Sequence, residues 1–430
     1  MLKITITLAL KLLAIKLAIY VTQVINSLVP ATKELITLLV NLAKSLDGCL
    51  LNSRLFSLLL LVVAAFPLRT MALNSPDPLL ASQIVDRYAE HIFYGTAATG
   101  MALVAIDGNQ RVFASFGDTR PGNNIRPQKD SLIRIASLSK LMTSEVMVKL
   151  AEEGRIRLDD PLSKYAQPGK TVPAYAGQPM TLVNLATHTS GLPREQPGGA
   201  PSRPVFVWPT RAERWTWLQT ARLAVPPGVR AGYSNLAYDL LADALARASA
   251  TAYPTLLQEK ITRPLGMKDT TFTPSPEQCS RLMVAEKGAS PCINTLAAIG
   301  SGGVYSTPDD MGRWMQQFLS SDIHHRSAQA DRLQTLIYKR SQLTRLDGMD
   351  VPGKADALGM GWVYMAPKEG RPGIIQKTGG GGGFITYIAM VPQYNVGVFV
   401  VVTRSPLSRF TAMSDGVNDL LTDLVANTKG

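Results

Sequence analysis

A serine three residues ahead of a lysine, Ser137-Leu-Ser-Lys140, is the first of three short motifs with which this chain could do chemistry. The others are Tyr233-Ser-Asn235 and Lys377-Thr-Gly379. A serine hydroxyl is a weak nucleophile until a base within hydrogen-bond reach takes its proton. Positions three apart share one face of a helix, so Lys140 can reach Ser137. A lysine serves as that base only when burial or nearby cations lower its pKa. Lys377 could supply such a charge, and Tyr233 could share the proton traffic. The chemistry such a set supports is acyl transfer through a serine ester.

Each motif alone has a plainer reading. Ser137 could be an ordinary helix cap with a solvated lysine after it, and Tyr233 a tyrosine packed beside a turn asparagine. The order of all three along one chain is what makes chance improbable.

The elements around them are legible. Leu141 to Leu150 reads as a helix packed into the core, with Ser137 near its N-terminus, where backbone N–H groups favour a developing oxyanion. Lys377-Thr-Gly379 precedes a glycine run and then Phe384 to Val391, a β-branched and aromatic stretch that predicts a strand. Ser82 to His91 predicts an amphipathic helix. Thr99 to Ile106 and Arg111 to Phe116 flank Asp107-Gly108-Asn109-Gln110, a hairpin turn. Gly383 to Val391 and Val396 to Thr403 form a second hairpin around Pro392 to Asn395, and Ser414 to Ala426 a closing helix. Between lies a long section with many glycine and proline breaks, such as Pro193 to Pro201 and Val225-Pro-Pro-Gly228. Strands at both ends with helices between predict an α/β (α+β) fold: an antiparallel sheet from both termini, flanked by helices, plus a mostly helical lobe. The site would fall between the two.

The N-terminus is set apart from the rest. Residues 51–72 read as a secretory signal peptide, with Arg54 before an apolar run from Leu55 to Phe66 and small residues at Thr70-Met-Ala72. Residues 1–50 form an atypical extension: a membrane-associated segment, an amphipathic helix, or sequence upstream of the true start, the last being favoured because a complete signal peptide follows. Residues 73–430 then form the catalytic domain. Export predicts a periplasmic protein, with peripheral inner-membrane association as a further expectation.

The net charge of +12 favours an acidic polymer or a membrane surface as neighbour, although a generally basic solvated surface explains it as well. No arginine-rich run, zinc spacing or RNA-binding aromatic motif is present, so nucleic acid is not expected as a partner. No Cys/His cluster has metal-ligand spacing, and neither a metal nor another cofactor is expected. Of the three cysteines, Cys49 lies in the leader. Cys279 and Cys292 could bridge in an oxidising compartment or remain separate buried thiols. His188 is a candidate base only at first sight, since Lys140 and Tyr233 already supply that function. Trp208, Trp215 and Trp217 suit core packing better than ligand stacking.

Further stretches extend the pattern: Leu158-Asp-Asp-Pro-Leu-Ser-Lys-Tyr165, His188-Thr-Ser-Gly-Leu-Pro193, Pro264-Leu-Gly-Met267, Gly302-Gly-Val-Tyr-Ser-Thr-Pro308 and Leu358-Gly-Met-Gly-Trp362. With the three motifs, they make residues from about 80 to 425 resemble the serine β-lactamase/penicillin-binding protein superfamily, in its class C-like branch. Asp86 to Tyr94, Pro193 to Gly199 and Lys377 through the glycine run carry a closer likeness, to the D-alanyl-D-alanine carboxypeptidase/endopeptidases of that branch.

The resemblance implies that Ser137 is acylated, that Lys140 activates it, and that Tyr233 exchanges protons. It implies that Asn235 holds the substrate amide and orients Lys140, and that Lys377 and Thr378 hold a carboxylate. The backbone N–H groups of Ser137 and Gly380 would form the oxyanion hole. The implied substrates are peptidoglycan peptides, with β-lactams as covalent inhibitors or slow substrates. A β-lactamase, an esterase or a non-hydrolytic penicillin sensor remain alternatives on the same scaffold. One departure stands out: glycine occupies position 380, where secreted class C enzymes usually carry serine. The run from Gly379 to Gly383 clears side chains from beside the substrate, or simply bends into the next strand.

Overall fold

The structure, a computed structural model, describes residues 78–199, 204–319 and 328–428. The signal peptide at 51–72 and the extension at 1–50 lie outside the described residues.

The helices that matter here are α1 (Pro78–Thr96), α2 (Ser139–Glu152), α3 (Arg211–Leu218), α4 (Asn235–Ser249), α5 (Pro308–Gln316) and α6 (Phe410–Thr428). The main sheet has eight strands: β1 (Ala98–Asp107), β2 (Gln110–Gly117), β3 (Leu336–Lys339), β4 (Ala357–Gly359), β5 (Val363–Met365), β6 (Ile374–Gly381), β7 (Phe384–Val391) and β8 (Val396–Arg404). Their spatial order is β2-β1-β8-β7-β6-β5-β4-β3, antiparallel throughout. The first and last strands of the fold lie side by side, one strand in from the β2 edge, where Leu103 pairs with Val400. The terminal hairpins and the antiparallel sheet therefore stand as expected. Both terminal helices extend a turn or more beyond the stretches that the sequence marks.

Strands β1, β7 and β8 are buried along nearly their whole length, and mostly apolar, because both sheet faces are covered. Successive side chains of a strand point to opposite faces. Ala102, Val104 and Ile106 of β1, with Phe399 and Val401 of β8, join the core of the helical lobe. Met101, Leu103 and Ala105, with Val398, Val400 and Val402, pack against α1 and α6 in a second core. This two-sided burial fixes the register: a one-residue slip would exchange the two cores. It also carries β6 and β7 to a fixed height beside the start of α2. There Thr386 of β7 donates its Oγ1–H to the carbonyl of Ile135 at 3.1 Å.

Candidate functional site

Ser137 lies in a 3-10 turn, Ala136–Leu138, that leads directly into α2. The turn is held from outside, by Ile135 N–H donating to the Val304 carbonyl and by the Thr386 contact. Ala136 sits at φ 47°, a left-handed conformation that costs a non-glycine residue about 1–3 kcal/mol and persists only where surroundings impose it. Between Ser131 and Lys140 every residue is buried except Ser137, which is half-exposed. The turn therefore presents one hydroxyl to the cleft.

Lys140, one turn along, is fully buried. Its Nζ lies 3.3 Å from Ser137 Oγ, 2.6 Å from Asn235 Oδ1 and 2.6 Å from the Ser301 carbonyl oxygen. Burial pushes its pKa down, well below that of a solvated lysine, and Arg194 pushes the same way. The carboxylates of Asp239 and Glu195 oppose that fall.

Tyr233 and Asn235 are locked by the residue between them. Ser234 caps α4 by accepting from Ala237 N–H, donates its hydroxyl to the Pro193 carbonyl, and donates its own N–H to His188 Nδ1. Asn235 N–H donates to the Arg194 carbonyl, and Asn235 Nδ2 donates to Glu195 Oε1. That last bond fixes which way the amide points: its nitrogen faces Glu195 and its oxygen faces Lys140.

The ring of Tyr233 stacks on His188 with centroids 4.5 Å apart. Three cations crowd the same ring: Lys140 Nζ at 4.9 Å, Lys377 Nζ at 4.7 Å and Arg194 Cζ at 4.8 Å from its centroid. His188 itself is buried, and burial with the nearby lysines holds its pKa well below the usual histidine value. Its Nδ1 is occupied as an acceptor, so the neutral ring is a structural support for Tyr233.

The sequence left Lys377-Thr-Gly379 ahead of the second strand. The structure puts all three inside β6, paired with Ile388, Tyr387 and Thr386 of β7. Lys377 is buried, which lowers its pKa to about 8. Thr378 is half-buried. Gly379 is required by close approach: a Cβ there would stand 2.3 Å from Thr386 Oγ1, 2.9 Å from the Ile135 carbonyl oxygen and 3.1 Å from Ser137 N. The absence of a side chain thus lets β6 lie directly against the nucleophile turn. Gly380 has open space; its Cβ would meet only the Phe384 carbonyl oxygen, at 3.7 Å. Gly381 to Gly383 make the bend into β7 at positive φ and are closely packed, by Phe206, Arg134 and Ala285. Clearance beside a bound ligand therefore belongs to Gly380, and the rest of the run serves the bend.

Ser137, Lys140, Tyr233, Asn235 and Lys377 are all brought together, with Thr378 and Gly380 on the adjoining strand. Cys279 and Cys292 are joined in a disulfide. The loop that it closes packs Ala285 and Ala289 on Gly383, at the far end of the glycine bend. Trp215 is buried, and its indole N–H donates to Asp243 at 2.9 Å. Trp217 is partly buried against the same core, and Trp208 is half-buried. Among the described residues no group of His, Cys, Asp and Glu could hold a metal ion.

Sequence reasoning missed Glu195, Asp239 and the Ser301 carbonyl. Asp239 carried a usable signal, because it lies four residues after Asn235 on one helix face. Ser301 carried none, since its main chain makes the contact.

The beta-lactamase family model matches residues 83–421. The chain is 74% identical over 351 residues to the D-alanyl-D-alanine-carboxypeptidase/endopeptidase AmpH of Escherichia coli (strain K12), covering 82% of this chain and 91% of that one. A crystal structure of a beta-lactamase/D-alanine carboxypeptidase from Yersinia pestis, complexed with citrate, superposes with a TM-score of 0.79 at 66% identity, over 81% of this chain and 99% of that one. A class C beta lactamase from Rhodobacter sphaeroides shares the fold at 20% identity and a TM-score of 0.62, over 78% of this chain and 98% of that one. The likeness spans both lobes and every strand around Ser137, and on these grounds the chain belongs to the beta-lactamase family.

Proposed function

We propose that this protein is a serine D,D-carboxypeptidase and D,D-endopeptidase that cleaves D-alanyl bonds in peptidoglycan stem peptides and is acylated by β-lactams at the same serine. The observation that carries the reading is the hydrogen-bond inventory of Lys140. A neutral amine has two N–H donors and one lone pair. Asn235 Oδ1 and the Ser301 carbonyl take both donors at 2.6 Å, which leaves the lone pair for the Ser137 hydroxyl. The lowered pKa makes that neutral form accessible near pH 7.

Ser137 Oγ then attacks the carbonyl of the penultimate D-alanine while its proton passes to Lys140. The backbone N–H groups of Ser137 and Gly380 stabilise the oxyanion, and one such donor typically contributes about 3–4 kcal/mol. Tyr233, held between Lys140 and Lys377, passes the proton to the leaving amine. That amine is D-alanine in the carboxypeptidase reaction and the cross-linking amine in the endopeptidase reaction. Water, activated by the same Tyr233–Lys140 pair, hydrolyses the acyl-enzyme. Asn235 Nδ2 exchanges Glu195 for a substrate carbonyl. Lys377 and Thr378 hold the terminal carboxylate.

Two further features support a periplasmic setting. Residues 51–72 have the form of a signal peptide, and the Cys279–Cys292 disulfide suits an oxidising compartment. No helix among the described residues is long and apolar enough to cross a membrane. Peripheral association with the inner membrane belongs to the same proposal, supported by the net charge of +12.

The test is product analysis. Residues 73–430 incubated with a disaccharide pentapeptide are expected to release one alanine, and a cross-linked muropeptide dimer is expected to split, both followed by mass spectrometry. Rapid nitrocefin hydrolysis with both peptides untouched would make the protein a β-lactamase or esterase instead.

The two neighbouring glycines separate in the same assay. Gly379→Ala forces β6 off the nucleophile turn, so acylation is expected to fall at least tenfold with about 2 kcal/mol of destabilisation. Gly380→Ser has room and is expected to keep the melting temperature. Its side chain is expected to slow cleavage of the dimer more than acylation by penicillin. Equal slowing of both would remove any role for Gly380 in admitting the longer substrate.

A further inference from the structure

Lys140 is held by a carbonyl, and something must hold that carbonyl. The Gly300–Ser301 segment lies under α2 without belonging to any helix or strand. Two groups clamp it. Thr143 Oγ1–H donates to the Gly300 carbonyl at 2.9 Å. Asp239 accepts from Gly300 N–H and Ser301 N–H, both at 2.9 Å on Oδ1, and from the Ser301 hydroxyl at 3.0 Å on Oδ2. The segment also admits no side chain at Gly300, whose Cβ would stand 2.0 Å from the Tyr238 carbonyl oxygen. Asp239 sits one helical turn beyond Asn235 on α4. One face of α4 therefore controls both of the acceptors that flank Lys140 Nζ.

We propose that Asp239 is a positioning residue of the acylation step: its carboxylate fixes the Gly300–Ser301 backbone whose carbonyl holds Lys140, and its charge sustains the proton affinity of that amine. The inference rests on the acyl-transfer reading above. Three donors converge on a carboxylate that is almost wholly buried, an arrangement suited to the anion. Burial nevertheless pushes the Asp239 pKa up, against the pull of Arg214, the Gly300 N–H, Lys140 and the Ser301 hydroxyl. Facing Lys140 from the other elements are Glu195 and Arg194 on the loop before α3, Lys377 on β6, and His188, Tyr233 and Tyr238. Cations outnumber anions in this set, so Asp239 and Glu195 keep Lys140 basic enough to accept a proton. Too low a proton affinity is as harmful to a general base as too high a one.

Asp239→Asn is the discriminating variant. The amide oxygen can still accept both backbone N–H groups, and the amide nitrogen can donate to Ser301 Oγ, so position is largely kept while charge is lost. The readout is the pH profile of the second-order rate of penicillin acylation, with D-alanine release measured alongside. The acid limb, which tracks loss of the Lys140 proton, is expected to move to lower pH by about one unit or more. A merely structural residue would lower the rate at all pH values without moving the limb, and that result would overturn the inference. Should Asp239→Asn fail to fold, Ser301→Ala deletes one donor to the carboxylate and leaves the carbonyl that holds Lys140. It is expected to move the same limb the same way by less, and an unmoved limb there is equally fatal. Wild-type protein that is never acylated at Ser137 would sink the acyl-transfer reading itself, whereas acylated wild type with an unmoved variant limb sinks only the role of Asp239.

Discussion

Ser137→Ala is expected to abolish covalent labelling by penicillin and to lower D-alanine release by about 10⁵-fold or more, with the fold intact. A drop of that order follows when the nucleophile of an acyl-transfer unit is removed, because its partners then have nothing to activate. The structure says why stability should survive. Ser137 is the one half-exposed residue in a buried stretch, and its hydroxyl meets Lys140 Nζ at 3.3 Å. The turn is fixed by its backbone, through Ile135 N–H and the Thr386 contact to the Ile135 carbonyl, and alanine disturbs neither. The Ser137 N–H also remains. The variant should therefore still bind peptide reversibly while forming no ester. Intact-mass spectrometry after penicillin treatment reads the first outcome and equilibrium binding of a pentapeptide reads the second. A penicillin adduct on the variant would mean that another residue is the nucleophile.

How much of this was legible beforehand depended on whether a feature is local. The two hairpins were readable because period-two patterning and turn residues, such as Gly108 at φ 61°, act over a few positions. The Ser137–Lys140 pair was readable because three residues along a helix bring two side chains together. The strand that carries Lys377 was harder. Its second half is Thr-Gly-Gly-Gly, which has no strand propensity, and pairing with β7 supplies what the sequence lacks. Gly379 illustrates the same point. Its meaning is the atoms opposite it, Thr386 Oγ1 and the Ile135 carbonyl, and those lie in segments far away in the sequence. Glu195 and Asp239 were invisible as a pair for that reason: each acts on Lys140 through a third residue, Asn235 or Ser301, rather than through a motif of its own.

Lys140→Ala is expected to lower the acylation rate by about 10²–10⁴-fold, the range that a positioned general base contributes. The effect should be on chemistry more than on binding, so kcat falls while KM for peptide changes little. Its pH dependence separates base catalysis from simple damage. In the proposed mechanism the wild-type acid limb is assigned to Lys140, because only the neutral amine has a lone pair to offer, and activity is expected to rise as pH rises through its lowered pKa. The alkaline limb is assigned to Lys377, proposed to hold a carboxylate only as a cation; with its pKa lowered to about 8, activity is expected to fall as pH climbs beyond that value. Removing Lys140 deletes the first limb. Lys140 is already largely neutral where Lys377 titrates, so the second limb should stay close to its wild-type position. A variant that keeps the acid limb would place the base elsewhere. His188 would not inherit the role, because its Nδ1 is already spent on Ser234 N–H and burial keeps the ring neutral. Tyr233 would then be the remaining candidate, its ring still set beside Lys377 and Arg194.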